Sequence, residues 1–98
     1  MKSLKVYQHQ RILTKEQKIA DGDYNIDNEL IIRTKDGFLD DVITEDGITL
    51  PAIEAIDGSH IEHWKKGVLH CDFEPAVIDI IDNYEEWWHN GIQVPSKK

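Results

Sequence analysis

Five histidines and one cysteine are the residues of this chain best suited to chemistry, and their spacing decides which chemistry is open. If Gly58-Ser59 is a two-residue loop between two strands, Glu54 faces His63. The next turn, Lys66-Gly67, then brings His70 beside His63. A carboxylate and two imidazoles in one row form a zinc-compatible set, although a closed structural site wants a fourth ligand. The plainer alternative is a solvated face on which His63 hydrogen-bonds Glu54. In this register, strand alternation sends Cys71 and His60 to the opposite face. No cofactor is expected.

Catalysis finds little support. Ser3, Ser59 and Ser96 fall at a terminus, in a turn and in a tail, without a nucleophile-elbow context. His70 and Cys71 are consecutive, so on a strand they point apart, whereas a Cys–His nucleophile pair needs contact. Asp40-Asp41 and Glu85-Glu86 alternate faces in the same way. There is no phosphate-cradling glycine loop and no dinucleotide fingerprint. The acidic turns lack the ligand spacing of a calcium loop. A non-enzymatic role is expected.

The elements that would position these residues come from a repeat. Residues 51–67 and 75–91 carry one pattern 24 positions apart: Pro51/Pro75, Ala52/Ala76, Glu62/Glu86, Trp64/Trp88 and Gly67/Gly91 coincide without a gap. A fixed period of this size marks a repeated supersecondary unit. Glycine follows Asp or Asn at five of its six positions, the dipeptides that favour the positive φ of tight hairpin turns. The spacing predicts strands over about 52–57, 60–65, 68–72, 76–81, 84–89 and 92–94, with Ile53 opposite Trp64 and Val77 opposite Trp88. One predicted pair, Asp79 with Glu86, is unfavourable. Upstream, 29–34 and 38–43 flank Asp36-Gly37, placing Arg33 opposite Asp40, and Asp46-Gly47 turns 42–44 back into 48–50. Without the Pro-Ala and Trp markers this hairpin is not counted as a third repeat. Val6–Leu13 reads as a first strand, Thr14–Ala20 as a short helical turn, and 21–28 as a loop. The expected fold is therefore mainly β: one domain, an antiparallel β-hairpin meander with at most one short N-terminal helix.

The Trp-x-x-Gly portions, Trp64-Lys65-Lys66-Gly67 and Trp88-His89-Asn90-Gly91, resemble the tandem hairpin repeats of small bacterial and phage proteins similar to MORN repeats. The resemblance spans Pro51 to Pro95, about half the chain. The Tyr-x-Gly and Gly-x-Gly that normally flank the Trp of a MORN unit are absent. The resemblance implies a non-enzymatic binding module, often encoded by phage or mobile elements.

Charge narrows the partner. The chain has a net charge of −8, but residues 1–18 carry +4 and 95–98 carry +2, leaving −14 on residues 19–94. Such a body repels phosphate backbones and anionic membranes, so neither nucleic acid nor membrane is an expected partner. A basic protein that itself binds nucleic acid is. The two repeats also differ where they matter: the row Glu54-His63-His70 becomes Ile78-Trp87-Val94. Trp87 on this row is expected to be covered by the N-terminal segment, buried in a homodimer, or an anchor for a partner. Around it Tyr84, Asp79, Asp82, Glu85 and Glu86 complete the expected partner-binding surface with Ile78 and Val94. An anti-CRISPR-like inhibitor of a nucleic-acid-binding host nuclease fits size, charge and repeat together. An immunity or antitoxin-type protein, or a metal- or small-ligand-binding module, is the alternative. The lone Cys71 and the lack of an apolar leader or span point to the cytoplasm.

Overall fold

A computed structural model describes residues 2–4 and 21–96 of the chain. Among them are thirteen short strands and no helix. The expected strand at 6–13 and helical turn at 14–20 lie outside the described residues. Residues 21–28, expected as a loop, instead contain β2 (Gly22–Ile26), whose Tyr24 and Ile26 alternate with polar neighbours and are buried. The Asx-rich stretch after it closes a hairpin. Asp27 and Asn28 take left-handed φ of 53° and 57°, and the Asn25 side chain accepts the Asn28 N–H at 2.8 Å. β2 pairs antiparallel with β3 (Leu30–Lys35) and parallel with β1 (Lys2–Leu4).

The remaining strands are β4 (Phe38–Leu39), β5 (Val42–Ile43), β6 (Thr49–Leu50), β7 (Ile53–Ala55), β8 (His60–Glu62), β9 (Trp64–Lys65), β10 (Val68–Leu69), β11 (Val77–Asp79), β12 (Tyr84–His89) and β13 (Ile92–Val94). The main sheet runs β1-β2-β3-β7-β8-β11-β12-β13, with β4 also on β3. This is the antiparallel hairpin meander expected from the turns, extended by the parallel β1.

The tight turns hold the register expected of them. Trp64 pairs with Leu69, Trp88 with Gln93, and Val42 with Leu50. Asp36-Gly37, Lys66-Gly67 and Asn90-Gly91 all show φ near 50° followed by 83°, the doubly positive signature of the hairpin type I′ turn. The loops at 56–59 and 80–83 correct the expected register. Ile53 pairs with Glu62 rather than Trp64, and Val77 with Glu86 rather than Trp88. Each loop holds four residues because carboxylates occupy its backbone donors. Asp57 Oδ1 accepts the Ser59 N–H at 2.9 Å, and Asp79 Oδ1 accepts the Asp82 N–H at 3.0 Å. The slip is the same two residues in both repeats, so each side chain keeps its expected face. It also removes the unfavourable Asp79–Glu86 pair, since Asp79 now lies between His60 and Tyr84.

The Asp36-Gly37 hairpin proves to be a third unit of the stack. Arg33 N–H donates to Ala52 O at 2.7 Å, as His63 N–H does to Ala76 O at 2.7 Å. Successive hairpins are tied by matching bonds: Gly67 N–H to Leu39 O (2.8 Å) and Gly91 N–H to Leu69 O (2.9 Å). Asp41 N–H reaches Trp64 O (2.8 Å) and Cys71 N–H reaches Trp88 O (3.1 Å). The unit was hidden because the β5–β6 hairpin is inserted after it, stretching the period, and because Thr34 stands where Trp64 and Trp88 stand later.

The core lies on one face at the β2–β3–β7 end: Tyr24, Ile26, Ile32, Leu39, Ala52 and Ile53, with Leu30 and Trp64 packed against it. Gly91 shows how tightly the hairpin tips are packed. A Cβ there would sit 3.2 Å from Val68 Cβ, whereas one at Gly47, with the same φ of 83°, meets nothing within 4 Å. Both alanine variants pay roughly 1–2 kcal/mol for left-handed backbone. Gly91→Ala adds an overpacking cost of about 1 kcal/mol or more. Urea unfolding of the two variants should show Gly91→Ala as the less stable; equal losses would mean the tips do not pack as described.

Candidate functional site

The stack places Arg33, His63 and Trp87 at equivalent positions in its three units, and all three are buried. Each unit fills this position differently. Arg33 Nη1 donates to Pro51 O at 2.8 Å and Nη2 to Glu54 Oε1 at 3.3 Å, while Nε lies 3.5 Å from Asp23 Oδ2 without a hydrogen bond. His63 is held between two carboxylates, Nδ1 at 2.8 Å from Asp41 Oδ2 and Nε2 at 3.0 Å from Glu74 Oε1. Burial resists a charge on His63, but the hydrogen bond and charge of Asp41, joined by Glu74, outweigh it and raise its pKa. Trp87 is 7 % exposed. It is a structural side chain of this fold, and an exposed-anchor reading of it is corrected accordingly.

The expected row Glu54-His63-His70 is not assembled. The register slip sets Glu54 opposite Ile61, and its carboxylate pairs with Arg33. His70 does lie beside His63, donating its backbone N–H to His63 O at 3.1 Å, but its side chain is engaged by other groups: its Nδ1 accepts the Asn90 N–H at 2.9 Å, and its Nε2 lies 3.2 Å from Asp72 Oδ1. His89 stands beside it, with ring centroids 4.8 Å apart. Cys71, expected on the other face, comes instead to His63 and Glu74. Strand alternation ends at Leu69, so it does not govern the segment that carries Cys71. Among the described residues, two groups bring metal-capable atoms together: His63, Cys71 and Glu74, and His70, Asp72 and His89.

The repeated Glu-x-Trp has a structural explanation. On a strand, residues two apart share a face. Glu62 Oε1 accepts the Trp64 indole N–H at 2.9 Å, and Glu86 Oε1 accepts that of Trp88 at 2.7 Å. The other oxygen takes the residue two positions before: His60 Nε2 at 2.7 Å for Glu62, and the Tyr84 hydroxyl for Glu86. Glu86 is thereby a scaffold carboxylate. His60 is also 3.1 Å from Asp79.

The candidate partner residues divide along the same lines. Ile78 and Val94 are half-buried, Tyr84, Asp82 and Glu85 are exposed, and Asp79 is engaged by His60. The sequence reading missed their exposed neighbours. Loops 27–29, 56–59 and 80–83 stack at one edge through Ile56 N–H to Glu29 O and Ile80 N–H to Ser59 O, both 2.9 Å. They present Ile56, Ile80 and Ile81, the last 77 % exposed, among Asp27, Glu29, Asp57 and Asp82. A cavity of ≈ 480 Å³ opens between the first two loops, lined by Asn28, Glu29, Leu30, Ala55, Ile56, Asp57, Ser59 and His60. The lysines of residues 21–94 (Lys35, Lys65 and Lys66) lie at or beside the opposite, tight-turn edge. The only cue to the loop surface was the Ile-Ile-Asp-Asn run, which reads equally well as strand.

No family model, curated protein or solved structure matches the chain. Among the described residues no helix is long and apolar enough to cross a membrane.

Two outcomes follow from this geometry. Burial opposes the charge on His60, but the hydrogen bonds and charges of Glu62 and Asp79 outweigh it, so its folded pKa lies above the ordinary 6.5. Such a group stabilises fully below its unfolded value and loses that contribution as pH rises through the folded one. The urea midpoint should therefore fall on going from below pH 6.5 into the mildly alkaline range, with a shallower fall in His60→Gln; an unchanged slope in the variant would contradict the assignment. Trp87→Ala should destabilise the fold by about 3–5 kcal/mol, as expected for a buried aromatic. A near-neutral effect on thermal unfolding would restore it as a surface residue.

Proposed function

We propose that this protein is a non-enzymatic binding module whose loop edge docks a basic protein, one that itself binds nucleic acid. The observation that carries the reading is the composition of that edge. Isoleucines are exposed on stacked loops whose charged residues are all acidic, while the lysines stand at the far edge. Exposed apolar side chains supply contact area, and the surrounding carboxylates steer a positive partner and reject negative ones. The cavity between the first two loops adds Leu30 and Ile56 beside Glu29 and Asp57. That combination suits an arginine or lysine side chain, with its stem on the apolar wall and its head at the acids. The MORN-like resemblance enters as architecture: a stack of hairpins presents a line of loops. Inhibition of a host nuclease by occupying its positive groove is the form of this activity that fits size and charge best.

A photo-crosslinking residue in place of Ile81 tests the reading, with the same residue in place of Ile92 as control. The expected result is a covalent adduct, formed only from position 81, with a basic nucleic-acid-binding protein whose nucleic-acid binding is lost in the complex. Asp82→Lys together with Glu85→Lys should then weaken binding about tenfold or more and flatten its salt dependence. Capture of an acidic partner, or affinity that ignores both charge reversals and salt, would contradict the proposal.

A further inference from the structure

We propose that His63, Cys71 and Glu74 form a binding site for a zinc-class divalent metal ion, with Asp41 as the group that orients the imidazole. One ligand atom from each of the three lies within 4.8 Å of the others. Tetrahedral zinc holds nitrogen, sulfur and oxygen ligands about 3.5 Å apart, given bond lengths of roughly 2.0–2.3 Å. Small side-chain rotations close that difference, and they are open to Glu74, which is exposed, and to Cys71, which is only half-buried.

The backbone explains why the three converge. His63 falls in the break between β8 and β9, with its N–H bound to Ala76 O. The chain from His70 to Ala76 returns past it, anchored where Cys71 N–H meets Trp88 O. Asp41 is fixed in turn. Its Oδ1 accepts the Ala52 N–H at 2.8 Å and the Trp64 N–H at 3.0 Å, leaving Oδ2 for His63 Nδ1 at 2.8 Å. A carboxylate on Nδ1 is the usual partner of a metal-bound imidazole, because it holds the proton there and turns the Nε2 lone pair outward. Nε2 is the nitrogen that faces Glu74.

The neighbouring group fails the same test. His70 Nδ1 accepts a backbone N–H, so its proton sits on Nε2, the nitrogen nearest Asp72. Asp41 on Nδ1 leaves Nε2 of His63 as the nitrogen that a metal ion would take in place of its proton, whereas the Nδ1 of His70 is already committed to the backbone. A thiolate, an imidazole and a carboxylate together select a borderline ion over calcium or magnesium, which want oxygen ligands. Three protein ligands leave a fourth position, and Glu74, 56 % exposed in its side chain, places it at the surface for water or a donor from a partner.

Titration of the full chain with Zn²⁺, and with Co²⁺ as a spectroscopic substitute, tests the site. The expected result is one equivalent bound, a rise in the thermal midpoint, and a near-ultraviolet thiolate-to-cobalt charge-transfer band. Cys71→Ser should abolish the band and weaken zinc binding at least tenfold, and Glu74→Gln should weaken it while keeping the band. His89→Gln should change neither. The proposal is overturned if the wild type binds no zinc, if the band survives Cys71→Ser, or if His89→Gln removes binding while Glu74→Gln does not.

Discussion

The fold depends on backbone hydrogen bonds passed from one hairpin tip to the next. Among the described residues few large apolar side chains are buried, and the contiguous core sits at one end of the sheet. Toward β12 and β13 the sheet is held less by a hydrophobic interior than by Gly67 on Leu39, Gly91 on Leu69, Asp41 on Trp64 and Cys71 on Trp88. The bonds from Gly67 and Gly91 need their own type I′ turns in place, since the left-handed backbone points the second turn residue's N–H at the neighbouring hairpin. The two glycines and the left-handed residues before them, Lys66 and Asn90, are therefore conditions of stacking, and the pattern Trp-x-x-Gly is its sequence trace.

With the scaffold carried by backbone and turns, side chains at equivalent positions are released to diverge. Arg33, His63 and Trp87 fill one buried position with a cation, an imidazole and an indole. The first two each recruit carboxylates, Glu54 and Asp23 in one unit, Asp41 and Glu74 in the next. This arrangement accounts for part of the acidity of the body, because several carboxylates are structural partners of buried bases. Others, Asp27, Glu29, Asp57 and Asp82, surround the exposed isoleucines on the stacked loops. The two populations separate scaffold from surface more cleanly than total charge does.

Much of this was legible in the residues. The period, the tight turns, the antiparallel meander and the faces of the strand side chains followed from glycine positions and strand alternation. Register across the longer loops did not. Asp57 and Asp79 bind loop N–H groups, and that local competition between side chain and strand ladder leaves no periodic mark. The first unit was hidden by an inserted hairpin, and β2 by its Asx content. The convergence of Cys71 and Asp41 on His63 arises from segments outside the strands, where alternation says nothing.

Hydrogen exchange at the tip amides tests the stacking most directly. The account predicts that the amides of Asp41, Gly67, Cys71 and Gly91 exchange slowly and as one group with those of β7 and β8, because each is spent on the neighbouring unit. Exchange of Gly67 and Gly91 at unfolded-peptide rates while β7 and β8 stay protected would contradict it, and would mean that the hairpins are joined along the sheet but not stacked at their tips.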